Sequence, residues 1–333
     1  MTGLSLGDAE LESIVQAELA TLEDLLLDTA HTTTRPLIDE AARHLIQAGG
    51  KRLRPVLVIL ASQFGEGVDD RVRQAAVATE LTHLASLYHD DVMDSAPLRR
   101  GAPSAHEVWG NSVAILVGDL LFARASQLVA ALGPTAVKIQ ADAFERLVLG
   151  QLNETLGPRE EEDPIEHYLG VLADKTGSLI AASAHYGALF SGASQQAIDA
   201  VVEYAEKVGV AFQLADDVID LVSDADTTGK TPGTDLREGV ATMPVLLLQD
   251  QENNGTISAE GKRILTALGG DLSGDEALED VLQMLIAHPV LEETRSMARQ
   301  CAQDAMAELE ILPDSPARTA LEAFATLLVD RLA

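Results

Sequence analysis

The stretch "ATELTHLASLYHDDVMD", residues 78–94, sets three aspartates at the end of an otherwise apolar run. Asp90 and Asp94 are four apart, so on a helix they share a face, and Asp91 flanks it. Carboxylates this close repel one another at neutral pH. An acidic cluster is ordinarily a solvated helix face. Here the residues leading into it are too apolar for an exposed helix. His83, Leu87, Asp90 and Asp94 also fall on one stripe at helical spacing. The other reading is that the carboxylates hold a cation.

A second stretch favours the cation. "FQLADDVIDLVSD", residues 212–224, repeats the DDxxD spacing at Asp216, Asp217 and Asp220, again behind an apolar helical pattern. Gln213 falls on the stripe of Asp217 and Asp220. Two such clusters are expected to face each other across a helical core. Hard oxygen donors suit Mg²⁺, which binds through a few carboxylates and keeps waters or substrate phosphates. No Cys/His ligand set points to zinc.

The basic residues suggest what the metal would carry. The chain has only 23 Lys plus Arg against 53 Asp plus Glu, yet several sit beside these clusters. "GGKRLRP" (49–55) holds Lys51, Arg52 and Arg54, and "PLRRG" (97–101) holds Arg99 and Arg100. Lys175 and Thr176 open "KTGS", and Lys230 lies in a glycine-rich loop. Singly, each is more often a surface charge or a helix-dipole partner. Together they fit an anion such as a diphosphate bound with its metals.

The whole composition is consistent with this. At 333 residues and 47% hydrophobic the chain can bury a large core, and at 3% aromatic that core is aliphatic, which favours helices. A formal net charge of −30 disfavours nucleic acid and anionic membrane as partners. Cys301 is the only cysteine, so no intrachain disulfide is possible. The opening "MTGLSLGDAELESIV" lacks the pattern of a secretory leader. No window approaches 18 uninterrupted apolar residues, so stable membrane insertion is not expected. These features predict a cytoplasmic protein. Helical periodicity predicts helices over 8–30, 35–48, 54–65, 69–95, 104–132, 134–156, 164–173, 176–191, 194–222, 240–250, 258–269, 274–288, 290–310 and 314–331. No alternating strand and no linker interrupts them, so one all-α bundle is expected.

With these motifs in view, the chain resembles the trans-isoprenyl diphosphate synthases, the polyprenyl synthetase family. "GGKRLRP", "ELTHLASLYHDDVMD" with "LRRG", "GNSVAILVGDLL", "GQLNE", "KTGSL", "FQLADDVID" and "GKTPGTD" occur in the family's order. The wording around 92–126 is most similar to long-chain actinobacterial members. The resemblance implies an all-α, single-domain helical bundle of the isoprenoid synthase type over 1–333, with a central cavity, an N-terminal helical extension at 1–34, and a homodimer. It implies Mg²⁺ on Asp90, Asp91, Asp94, Asp216, Asp217 and Asp220, with Asp91 and Asp217 as direct or water-mediated supports. Arg99, Lys175 and Lys230 would hold an allylic diphosphate. Lys51, Arg54, His83 and Arg100 would hold isopentenyl diphosphate. Thr176 and Gln213 would lie near the allylic cation. Gln151 and Glu154 read equally as supporting or packing residues.

Product length follows from what lies below Asp90. Short-chain members commonly carry a bulky aromatic one turn towards the N-terminus. Here those positions are Ala85 and Ser86. An open floor implies a long all-trans polyprenyl chain, such as a menaquinone side chain, with Thr82, Ala78, Leu116 and Val117 lining the continuation. A geranylgeranyl diphosphate synthase is the competing product assignment. A class I terpene cyclase fits less well, because it lacks the second DDxxD and the isopentenyl diphosphate basic set. A non-catalytic synthase subunit would tend to lose the aspartates that this chain keeps.

Overall fold

The computed structural model describes residues 6–222 and 232–330, and these are almost entirely helical. In chain order the helices are α1 (Ala9–Ala30), α2 (Pro36–Gln47), α3 (Leu53–Ser62), α4 (Asp70–Met93), α5 (Ala105–Trp109), α6 (Asn111–Leu132), α7 (Pro134–Leu156), α8 (Pro164–Leu172), α9 (Ser178–Phe190) and α10 (Gln195–Val222). There follow α11 (Thr234–Glu238), α12 (Met243–Asn253), α13 (Ala259–Leu268), α14 (Asp275–Ala287), α15 (Pro289–Glu308) and α16 (Pro316–Asp330). A single π turn, Ala173–Gly177, separates α8 from α9. The only strands among the described residues are β1 (Leu98–Arg99) and β2 (Ala102–Pro103), an antiparallel hairpin. The all-α expectation therefore holds.

Some of the acidic residues serve as helix starts. The Asp8 side chain accepts from the Leu11 N–H, and Asp69 accepts from the N–H groups of Arg71 and Val72. Asp163 accepts from Ile165 and Glu166, with Pro164 at the first helical position. Each satisfies amides that a helix end leaves unpaired.

The chain forms two compact units. The first comprises the described residues up to Glu145, Ser178–Ala205 and Glu308–Ala323. The second comprises Arg146–Gly177, the described part of Glu206–Ala307, and the described residues from Phe324. In the first unit, α4 packs along α6 and α9, and α3 packs against α9 and α4. Every residue of α3 from Pro55 to Ser62 is buried. In the second unit, α8 packs against the π turn and α12, and α12 and α14 each pack on α13.

Three details depart from the periodicity. The pattern over 104–132 is broken at Gly110, whose φ of 83° ends α5 and starts α6. The hairpin is too short to show alternation. The π turn lies where a plain loop between helices was expected. By length and composition α6 is also apolar enough to cross a membrane. Asp119 and Arg124 interrupt its sequence, and Ala114, Val117, Leu121, Ala125 and Val129 form a buried stripe on it. Leu116, expected in the tunnel beside Val117, is instead 65% exposed. Neighbours on a helix point about 100° apart, and here the buried stripe takes Val117 and leaves Leu116 outside it.

The α3–α9 contact is backbone-close. A Cβ on Gly187 would sit 2.2 Å from the Val58 carbonyl oxygen. Gly→Ala in a helix ordinarily gains about 1 kcal/mol, but this overlap forces two buried helices apart. Gly187→Ala is expected to lose about 1–3 kcal/mol, read as a lower urea midpoint. An unchanged or raised midpoint would refute the contact.

Candidate active site

Each unit carries one acidic cluster, and the two are built alike. The first closes α4, with Asp94 donating its N–H to the Asp90 carbonyl. Asp91 is fully buried, whereas Asp90 is half-buried and Asp94 exposed. The Asp91 Oδ1 accepts from Arg99 Nε at 2.6 Å, while Oδ2 has no hydrogen-bond partner. Burial pushes the Asp91 carboxyl up, and the Arg99 charge pulls it part of the way back. Asp216, Asp217 and Asp220 lie in the last two turns of α10, and again the middle residue is buried and the outer two half-buried. Asp217 accepts from the Tyr168 hydroxyl at 3.0 and 2.9 Å and from the Met243 N–H at 3.2 Å. Desolvation drives the Asp217 carboxyl well above the usual carboxylate range, against these donors.

Both clusters stand at a helix C-terminus. The helix dipole is negative there, so it opposes the carboxylates as their mutual repulsion does. A divalent cation relieves both. Among the described residues, no three His, Cys, Asp or Glu side chains converge into a ready metal cage. Mg²⁺ takes one or two carboxylates and fills its octahedron with water and phosphate. The all-oxygen donor set and the unpartnered Asp91 Oδ2 fit such an ion.

Beside the first cluster lies a concentration of positive charge. Arg54, at the start of α3, has a buried Nε with no hydrogen-bond partner. Burial pushes its guanidinium down to about 10, with Glu80 opposing and Arg100 adding to the fall. His83 is held well below its usual 6.5, first by burial and then by Arg54, Arg100, Arg99 and Arg52. Arg52 is buried and committed: it pairs with Glu80 at 2.9 Å and Glu23 at 2.5 Å. Arg100 donates to the main-chain oxygens of Leu45 and Gly49. Lys51 is exposed at the same turn. Ala85 and Ser86 are buried on α4, and the Ser86 hydroxyl is used on the His83 carbonyl.

In the second unit, Lys175 and Thr176 occupy the π turn. Lys175 Nζ donates to Glu154 Oε2, Thr176 is buried, and Gln213 is half-buried on α10. Lys230 lies outside the described residues. The structure thus groups Arg99 with the first cluster, and groups Arg54, Arg100 and His83 together. The sequence reading overlooked Tyr168, the binding partner of Asp217, because no local motif links positions 49 apart. It also overlooked Arg52, whose neighbours in "GGKRLRP" looked equally free.

Comparison with known proteins decides the family. The polyprenyl synthetase family model matches residues 35–285. The chain belongs to the polyprenyl synthetase family. The nonaprenyl diphosphate synthase of Mycobacterium tuberculosis is 44% identical over 99% of this chain and 97% of its own length. The geranylgeranyl pyrophosphate synthase of Corynebacterium glutamicum, solved with calcium and isoprenyl diphosphate, is 42% identical, with TM-score 0.85 over 98% of both chains. The polyprenyl synthase of Caulobacter crescentus, solved with the same ligands, is 32% identical, with TM-score 0.88 over all of both chains. The resemblance drawn from the motifs is therefore correct.

The lowered His83 fixes a sign. A histidine that binds fewer protons folded than unfolded contributes stability above pH 6.5, and loses it as pH falls towards its folded value. The His83 ring is therefore expected to stay neutral at pH 6, read by ring-nitrogen NMR shifts. A titration centred at or above 6.5 would overturn this.

Proposed function

We propose that the protein is a Mg²⁺-dependent trans-prenyltransferase that adds isopentenyl diphosphate head-to-tail to an allylic diphosphate, giving a long all-trans polyprenyl diphosphate. The observation that carries it is the paired DDxxD construction, with the middle carboxylate of each buried against its donors and the outer two less buried. Asp90 and Asp94, and Asp216 and Asp220, are the metal-holding residues, with Asp91 and Asp217 in support. Bound Mg²⁺ supplies Lewis-acid neutralisation of the charge that develops on the leaving diphosphate. Arg99, Lys175 and Lys230 add fixed positive charge to the same group. Thr176 and Gln213 present oxygen atoms near the allylic carbon as its C–O bond breaks. Lys51, Arg54, His83 and Arg100 hold the diphosphate of isopentenyl diphosphate, and the unpaired Arg54 Nε is a donor ready for it. The double bond of isopentenyl diphosphate then attacks the allylic carbon, and the proton lost in closing the new double bond passes to the released diphosphate. A neutral His83 serves as a hydrogen-bond donor and brings no charge of its own.

The length assignment rests on α4. From Asp90 to Ala78 the helix runs about 18 Å. Along it Ser86, Thr82, Thr79 and Ala78 are all small. Ala78, Thr79 and Thr82 line a small cavity with Gln140, Leu179 and Tyr186. The 44% identity to a nonaprenyl diphosphate synthase supports a long product. The second reading is a geranylgeranyl diphosphate synthase, favoured by the 42% identity to the C. glutamicum protein. A homodimer in the cytoplasm completes the proposal. It is supported by the exposed apolar residues Ile115 and Leu116 on α6 and Val137 on α7.

Incubation with Mg²⁺, isopentenyl diphosphate and each allylic primer is expected to give a product longer than geranylgeranyl, read by mass. A stop at geranylgeranyl would select the second reading, and no chain growth would sink both. Ser86→Phe is expected to shorten the product by at least one isoprene unit. An unchanged length would show that the floor is not set beneath Asp90.

A further inference from the structure

The π turn Ala173–Gly177 is the one departure from regular helical geometry that carries two site residues, Lys175 and Thr176. A π turn is intrinsically disfavoured and persists where surrounding contacts impose it. The contacts here are specific. Arg146, on α7, donates Nε to Asp174 Oδ1 at 2.8 Å and Nη2 to the Ala173 carbonyl at 3.3 Å. The same guanidinium grips Glu206 of α10 through both terminal nitrogens, Nη2 to Oε2 at 3.0 Å and Nη1 to Oε1. One side chain thus ties the first two residues of the turn to a neighbouring helix, using the planar fork that only arginine offers.

Two glycines seat the turn from other sides. A Cβ on Gly150 would lie 2.6 Å from the Lys175 nitrogen, and one on Gly209 would lie 2.5 Å from the Gly177 Cα. The backbones of α7 and α10 therefore touch the turn directly, and its shape depends on both. Lys175 leaves this surface towards Glu154 of α7. Neither the motifs nor the proposed chemistry gives Arg146 a role.

We propose that Arg146 is a positioning residue: its fork across Asp174, Ala173 and Glu206 holds the π turn and so aims Lys175 at the allylic diphosphate. The inference rests on the diphosphate role proposed for Lys175. The fork strengthens the guanidinium charge as well, since the bonds to Glu206 and Asp174 raise its proton affinity against the cost of burial.

The test is a double-mutant cycle on the full chain, read as binding of inorganic pyrophosphate with Mg²⁺ by calorimetry. Arg146→Met is expected to weaken binding about tenfold, the scale of a lost charge-assisted bond. In a Lys175→Ala background the same change is expected to cost less than about twofold, because the residue it acts through is gone. An equal loss in both backgrounds, or no loss in either, overturns the inference. In the elongation assay, KM for the allylic diphosphate is expected to rise while KM for isopentenyl diphosphate stays level. A rise in both overturns it. If Arg146→Met does not fold, Glu206→Gln, which removes one charge and keeps the shape, carries the same cycle with a smaller factor. The turn is also read without any ligand. Amide exchange across 173–177 is expected to quicken about tenfold in Arg146→Met, and unchanged exchange overturns the inference. Quickened exchange in a protein that elongates no primer would instead sink the proposed function and leave the brace standing.

Discussion

A carboxylate taken out of water must find a donor or take up a proton. In this protein that constraint falls on the middle residue of each acidic cluster. Asp91 is covered completely and answered by one arginine nitrogen, and Asp217 is answered by a phenol and a backbone amide. The outer aspartates are less buried, Asp94 most of all. Division of labour within each DDxxD is therefore a matter of desolvation. The middle member of each cluster is held against its donors at the helix end. Removing Asp91 would leave the partly exposed Arg99 without its carboxylate, whereas removing Asp94 relieves repulsion.

The positive residues obey the same rule in mirror image. In a chain of net charge −30, four arginines crowd one histidine. Arg52 is neutralised by two glutamates, while Arg54 keeps a buried nitrogen with no partner. Like charges held this close are unfavourable until an anion arrives, and the diphosphate proposed for this cluster would relieve them. The acidic surface elsewhere makes that concentration of charge more selective, since a general polyanion is repelled before it reaches the pocket.

Much of this was legible in the letters. The helices could be placed because aliphatic stripes at a 3.6 period are long and clean here, and the two DDxxD runs stand out against them. What the sequence hid depended on contacts between distant positions. Tyr168 and Arg146 sit in ordinary helical text, and only folding brings them to Asp217 and to the turn at 173–177. The π turn adds one residue to a helical cycle, which a periodicity reading absorbs as boundary error. Leu116 and Val117 are both apolar as text, and only the fold shows which of them joins the buried stripe of α6. Arg52 and Arg54 are alike as text, and only folding pairs Arg52 with Glu23 and Glu80.

Arg52 has one more consequence. One of its two acidic partners, Glu23, belongs to α1, which precedes the residues matched by the family model. The amino-terminal helix is thus an electrical component of the pocket as well as packing around it. A chain shortened to the family core would leave that guanidinium sharing Glu80 alone, and the field felt by His83 and Arg54 would become one charge more positive. The matched family core therefore leaves out one of the two carboxylates that neutralise Arg52.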